Sequence, residues 1–138
     1  AAASGFPTSE GKDGQVVKPG HIYVAPGDYH MLVARAGNEI VLRVNQDPPV
    51  NFCRPAADPM FRSIGEVYGK HVLAAVLTGM GRDGADGAEA IATHGGMVIA
   101  QDEETSVVYG MPRVAAERGV CSKILPIQKI AAFILRNC

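Results

Sequence analysis

Leu77-Thr78-Gly79-Met80-Gly81-Arg82-Asp83-Gly84-Ala85-Asp86-Gly87-Ala88 is the stretch that decides how the rest of this chain is read. An apolar run, Val72 to Leu77, leads into it, and an alanine-rich helical pattern leads out. Four glycines fall between positions 79 and 87, and Asp83 lies between two of them. A strand, a glycine-rich turn and a helix N-terminus together present backbone N–H groups in a fixed direction. Such a turn holds an acidic side chain or an anion in backbone conformations that bulkier residues resist.

Two chemistries fit the turn. Gly79-x-Gly81-x-x-Gly84, with Asp102 18 residues further on, has the spacing of a dinucleotide-binding fingerprint. Asp83 counts against it, because its charge sits where a pyrophosphate would lie and like charges repel strongly in a low-dielectric site. In the other reading Asp83 is a carboxylate at the C-terminal end of a parallel strand. There it can orient an imidazole, fix its tautomer and stabilise the imidazolium formed during acyl transfer. A backbone N–H of the same turn, such as that of Met80, can face a developing oxyanion.

Working outward, His71 to Leu77 reads as a strand covered on both faces, Ala85 to Thr93 as a helix ended by Gly95-Gly96, and Met97 to Ala100 as the next strand. Val72 to Ala100 is thus a βαβ unit. Upstream, Asp58-Pro59 reads as an N-cap followed by proline at the first helical position, and Met60, Phe61, Ile64, Val67 and Tyr68 share one helix face that stops at Gly69. Further back, His21 to Ala25, His30 to Arg35 and Glu39 to Val44 read as three strands of an antiparallel meander. Residues 1–18 read mostly as loop or frayed terminus, with Gln15 to Val17 as a short edge strand. Downstream, Met111 to Arg118 is helical, Ile124-Leu125 is a last short strand, and Ile127 to Leu135 is a C-terminal helix.

Composition narrows the class. A chain of 138 residues suits one domain. Its net charge of −1 gives no strong pull toward nucleic acid or an anionic membrane surface. No apolar run approaches the roughly 18 residues that span a bilayer. Cys53, Cys121 and Cys138 are odd in number and lack CxxC spacing, so neither a disulfide framework nor a zinc site is expected, and reduced cytoplasmic thiols are the plain reading.

The motifs resemble those of a known family. Leu77-Thr78-Gly79-Met80-Gly81-x-Asp83-Gly84-Ala85-x-Gly87 resembles the signature turn of the chemotaxis protein-glutamate methylesterases. Pro19 to Met31, Pro48-Pro49-Val50-Asn51-x-x-Arg54-Pro55-x-x-Asp58, and Ala100-Gln101-Asp102-Glu103-x-x-Ser106-x-Val108-Tyr109-Gly110-Met111-Pro112 resemble three further blocks of that family, in order. The resemblance implies an α/β fold, doubly wound, with a mostly parallel sheet and helices on both faces. It also implies a Ser-His-Asp hydrolase that cleaves methyl esters of receptor glutamates and deamidates receptor glutamines, without metal or organic cofactor. By motif position, Asp83 resembles the triad acid and Met80 the residue whose backbone N–H faces the oxyanion. Arg54, Tyr109 and Met111 are candidate substrate-binding residues.

The resemblance places the Ser and His in segments ahead of Pro19, and nothing in residues 1–18 matches them. Residues 19–138 therefore correspond to the C-terminal portion of a methylesterase catalytic domain, and these residues alone are expected to be inactive. Implied partners are the cytoplasmic helices of methylated chemoreceptors and a response-regulator receiver domain, with a cytoplasmic location. Two rival readings remain: a nucleotide-binding domain using the glycine turn, and a non-catalytic receptor-binding remnant. Among the histidines at 21, 30, 71 and 94, His30 is the best stray base because its block matches the family. Asp86 reads as a solvated first-turn acid, Asp102 and Glu103 as loop acids, and Cys53 as a plain thiol.

Overall fold

The computed structural model describes residues 2–138. Its elements run β1 (Thr8–Glu10), β2 (Ile22–Val24), β3 (His30–Ala36), β4 (Glu39–Asn45), α1 (Ala57–Tyr68), β5 (Leu73–Val76), α2 (Ala85–Thr93), β6 (Met97–Gln101), α3 (Met111–Glu117), β7 (Lys123–Leu125) and α4 (Ile127–Asn137).

The C-terminal half is an α/β unit on a parallel sheet of order β5-β6-β7. The continuous apolar pattern of β6 follows from its central place: Val98, Ile99 and Ala100 are completely buried. Ala74 and Val98 of the sheet meet Ala88 and Ile91 of α2, with Phe61, Val72, Val120 and Cys121 packed around them. Helix α1 lies against both α2 and the β3–β4 hairpin. Small residues permit the close approach of the two helices. A Cβ added at Gly87 would lie 2.6 Å from Phe61 Cβ and 3.0 Å from Asp58 Cα. One added at Gly65 would lie 3.4–3.5 Å from His94, Ala90 and Ile91. Among the described residues no helix is long and apolar enough to cross a membrane.

The N-terminal half departs from the sequence reading. The expected three-strand antiparallel meander is only a hairpin, β3 with β4, registered from His30↔Asn45 to Ala36↔Glu39. Strand β2 pairs instead with β1, in parallel, as a separate two-stranded sheet. The Pro26-Gly27-Asp28 segment causes the break. Tyr29 N–H donates to Pro26 O at 3.3 Å, and Asp28 takes φ 66°, so the chain turns away before β3 begins. Strand β1 lies inside the stretch read as loop. The edge strand expected at Gln15 to Val17 reduces to one antiparallel bridge, Val16↔Val41, flanked by Leu42 N–H to Gln15 O and Val17 N–H to Ile40 O.

Helix α1 also begins differently. Its N-cap is Ala56, which has no side-chain acceptor to offer, and Asp58 lies within the first turn. The proline pattern located the helix start to within two residues. What satisfies that start comes from elsewhere in the chain.

Candidate active site

Strand β5 ends at Val76, and the turn that follows stands at the C-terminal edge of the parallel sheet. Gly81 and Gly84 take φ of 91° and 92°, a region open to glycine at little cost. The loop before α3 clamps the turn. Gly79 N–H donates to Val108 O at 3.0 Å, and the N–H groups of Gly110 and Met111 donate back to Gly79 O at 3.2 and 2.9 Å. Beneath, the buried side chain of Gln101 accepts Thr78 N–H (2.8 Å) and donates to Thr105 O (2.8 Å), tying the ends of β5 and β6 together. A Cβ on Gly79 would lie 2.5 Å from Met111 Sδ, so Met111 packs under the turn. Tyr109 is half-buried and bridges to Gly79.

Asp83 is buried, and its carboxylate is the missing cap of α1. Oδ2 accepts Ala57 N–H at 2.5 Å, and Oδ1 accepts Asp58 N–H at 3.1 Å. The arrangement is reciprocal. Asp58, in the first turn of α1 and almost wholly buried, accepts Gly87 N–H from the first turn of α2 on Oδ1 at 2.7 Å. Two orphan N–H groups of α1 and one of α2 are thus satisfied by an acid at the start of the other helix, as an N-cap residue would satisfy its own. The Asn51 amide binds both acids, donating to Asp58 Oδ2 at 2.7 Å and to Asp83 Oδ1 at 3.2 Å. Three donors face the Asp83 carboxylate, whose two oxygens offer about four lone-pair positions, so one on Oδ2 stays open. Neither Met80 N–H nor Gly81 N–H donates to a backbone acceptor among the described residues.

This arrangement leaves no phosphate cradle. Asp58 already occupies the N-terminus of α2, and Asp102 accepts Thr105 N–H (3.0 Å) and its hydroxyl (2.6 Å) within its own loop. His30 is no free base either. Ala56 N–H donates to its Nδ1 at 3.2 Å, which requires the proton on Nε2, and Nε2 then donates to Pro48 O at 3.1 Å. His94 Nδ1 lies 2.8 Å from Ala90 O at the end of α2, His21 Nε2 lies 3.0 Å from Ser9 Oγ, and His71 is exposed. Arg54 turns its guanidinium onto Asp28, with Nε at 3.1 Å and Nη2 at 2.7 Å, and onto Gln46 O at 3.2 Å, pinning the β4–α1 connection to the β2–β3 loop. Asp86 is not simply solvated. Arg118 binds it at 2.5 Å, and Arg62 and Arg82 approach to 3.8 Å. Hydrogen bonds to Asp86 and then to Glu89 raise the Arg118 guanidinium above its ordinary value. Away from the site, burial pushes the Cys121 thiol up.

The family model for the CheB methylesterase matches residues 1–134. The chain belongs to the CheB methylesterase family. It is 59% identical over 134 residues to the protein-glutamate methylesterase/protein-glutamine glutaminase 1 of Rhodospirillum rubrum, covering 97% of this chain and 35% of that protein. It is 54% identical over 133 residues to the protein of the same designation from Paramagnetospirillum magneticum, covering 96% and 35%. Among solved structures, the CheB methylesterase catalytic domain of Thermotoga maritima superposes with a TM-score of 0.90 at 38% identity, over 93% of this chain and 68% of that one. The chain therefore spans about a third of the length of these full-length relatives. The family is one of hydrolases acting in chemotaxis.

Three residues of the site escaped the sequence reading as functional: Asn51, Asp58 in its true role, and Gln101. Asn51 and Asp58 stood in a matched block, and Gln101 at the end of an apolar strand. A polar residue closing a buried strand was the available signal for Gln101. For Asp58, the proline after it suggested a cap of its own helix, and no local pattern reports a cap supplied across helices.

Proposed function

We propose that this chain supplies the acid and one oxyanion donor of a Ser-His-Asp hydrolase that cleaves glutamate methyl esters, and deamidates glutamines, on chemoreceptors. In this reading Asp83 accepts the Nδ1 proton of the catalytic imidazole on the open side of Oδ2. The imidazole takes the proton of the serine hydroxyl as it attacks the ester carbonyl and returns it to the leaving methoxide. The Met80 N–H binds the oxyanion of the tetrahedral intermediate. Residues 19–138 are the C-terminal portion of the catalytic domain, and the remaining strands complete a doubly wound sheet. The partners are cytoplasmic receptor helices, with a receiver domain as regulator.

The observation that carries the reading is the carboxylate of Asp83. It is buried at the C-terminal edge of a parallel sheet, fixed by two backbone amides and one side-chain amide, and retains one free acceptor position. An orienting acid must be rigid and must still have a lone pair to give, and Asp83 meets both conditions. The test is methanol release from methylated receptor by a chain extended upstream through the serine and histidine segments. The extended chain releases methanol, and residues 1–138 alone do not. Hydrolysis by the 138-residue chain alone would overturn the assignment of the serine and histidine to other segments.

A further inference from the structure

The Met80 N–H and the Gly79 carbonyl belong to one peptide group. That bond is trans, so the two point in opposite directions, and whatever fixes the carbonyl fixes the N–H. Gly79 O takes two donors, Gly110 N–H at 3.2 Å and Met111 N–H at 2.9 Å, one for each of its lone pairs. The residues just ahead are held as well. Gly79 N–H donates to Val108 O at 3.0 Å, and the Thr78 hydroxyl both donates to Val108 O (3.1 Å) and accepts Val108 N–H (2.9 Å). Met80 N–H itself has no acceptor among the described residues. A donor whose own peptide is locked in place suits a developing oxyanion, because no reorganisation is left for the moment of reaction. Hydrogen bonds to the carbonyl also polarise the N–H of the same amide.

Gly110 makes this approach possible. Its φ of −98° lies on the side open to ordinary L residues, so handedness does not call for glycine there. Space does. A Cβ built on Gly110 would lie 2.7 Å from Gly79 O, 2.9 Å from Gly81 N and 3.0 Å from Gly81 O. All three are backbone atoms of the residues on either side of Met80, so no side-chain rotation relieves the contact. A methyl group at position 110 therefore pushes directly on the peptides that flank Met80.

We infer, on the strength of the methylesterase reading, that Gly110 is a positioning residue for the oxyanion donor. Its missing side chain lets the start of α3 close on Gly79 O and so aim the Met80 N–H, with the Thr78 hydroxyl as a second tie to the same loop. The upstream-extended chain tests this through two measurements. One is methanol release from methylated receptor. The other is the inhibition constant of a short peptide whose glutamate γ-methyl ester is replaced by a trifluoromethyl ketone. The serine oxygen adds to that ketone, its proton passes to the imidazole, and the hemiketal carries the oxyanion that Met80 N–H binds. Gly110→Ala lowers kcat about 10²-fold, the scale of one oxyanion donor, with KM little changed, and raises the inhibition constant in the same proportion. Partial unfolding would lower kcat and leave the inhibition constant of the folded fraction as it was, so a fall in kcat without that rise overturns the inference. Where Gly110→Ala does not fold, Thr78→Val decides. It keeps the side-chain shape at an exposed position, removes the two bonds to Val108, and moves both readouts in the same direction by less. Unchanged kcat and inhibition constant in the deciding variant overturn the inference and leave the methylesterase reading standing. Absence of methanol release by the unsubstituted extended chain overturns both.

Discussion

The inner side of the 79–84 turn and its rim lie next to each other in the chain and obey opposite rules. On the inner side, the Asp83 carboxylate is bonded on both oxygens and the Asp58 carboxylate accepts a backbone N–H and a side-chain amide, so the two helix starts are closed by each other's acids. On the rim, Phe52, Met80 and Val107 expose nearly all their surface, and one of them holds a strained backbone. The inner side is arranged for stability and position, whereas at the rim Phe52 holds a left-handed backbone and is fully exposed in this chain. The contrast separates residues that hold the two helix starts together from residues that contribute no packing within this chain.

The largest effect breaks the inner side at its centre. In Asp83→Asn, whichever way the amide is turned, an NH2 faces a donor: Ala57 N–H on one side, or Asp58 N–H and the Asn51 amide on the other. An orienting acid changed to Asn costs on the order of 10⁴ in kcat in a serine hydrolase. The extended chain carrying Asp83→Asn is expected to lose methanol release on that scale. In the same variant, urea unfolding should register a loss of about 2 kcal/mol from the unpaired donors. Near-normal turnover would mean that some other acid orients the imidazole.

Next in size is Asp58→Ala. It leaves Gly87 N–H at the start of α2 without its acceptor and removes one of the two acids that Asn51 binds. Charge-assisted bonds of this kind contribute about 1.5–3 kcal/mol, and a loss near the upper end is expected in urea unfolding. A double-mutant cycle with Asn51→Ala should show coupling, because the two residues share a hydrogen bond. Strict additivity would show that the amide serves Asp83 alone.

Gly87→Ala tests the closeness of α1 and α2 on which the reciprocal caps depend. Helix propensity alone says that alanine in a helix gains up to about 1 kcal/mol over glycine. Packing says the reverse, since the new Cβ would fall 2.6 Å from Phe61 Cβ and 3.1 Å from Asp58 O. Overpacking of this kind costs about 1–3 kcal/mol, so a net loss of about 1–2 kcal/mol is expected in urea unfolding. A gain would show that the helices can part without losing their caps.

The same contrast marks what could be read from the sequence. The βαβ unit, all four helices and the last strand were legible, because each is recorded locally, in an apolar run, a helical period or a glycine stop. The turn between Val76 and Ala85 was legible locally as a glycine-rich turn carrying Asp83, but that this carboxylate accepts the first N–H groups of α1 was not. Pairing partners were not. Nothing within Ile22 to Val24 says that its partner is Thr8 to Glu10 in parallel rather than β3, because an alternating strand records its faces and not its neighbour. The cross-helix caps were hidden likewise, since Asp58 and Asp83 are 25 residues apart and each has a plausible local role. Arg54 shows the limit from the other side: its residue type suits a substrate carboxylate, and the fold gives it Asp28.

The smallest expected effect is on the rim, and its sign is reversed. Phe52→Gly removes a side chain that makes no contact in the folded chain, so no packing is lost. It relieves a left-handed backbone, which costs a bulky residue about 1–2 kcal/mol. Against this stands the greater freedom of glycine in the unfolded chain, about 0.5–1 kcal/mol. The difference leaves a gain of about 0.5 kcal/mol, read as a higher urea midpoint at unchanged slope. A gain in stability at position 52 beside losses at 58, 83 and 87 would show that Phe52 is not kept for the folding of this chain. A loss there would mean that Phe52 contributes to folding, and the contrast between rim and inner side would fail at that residue.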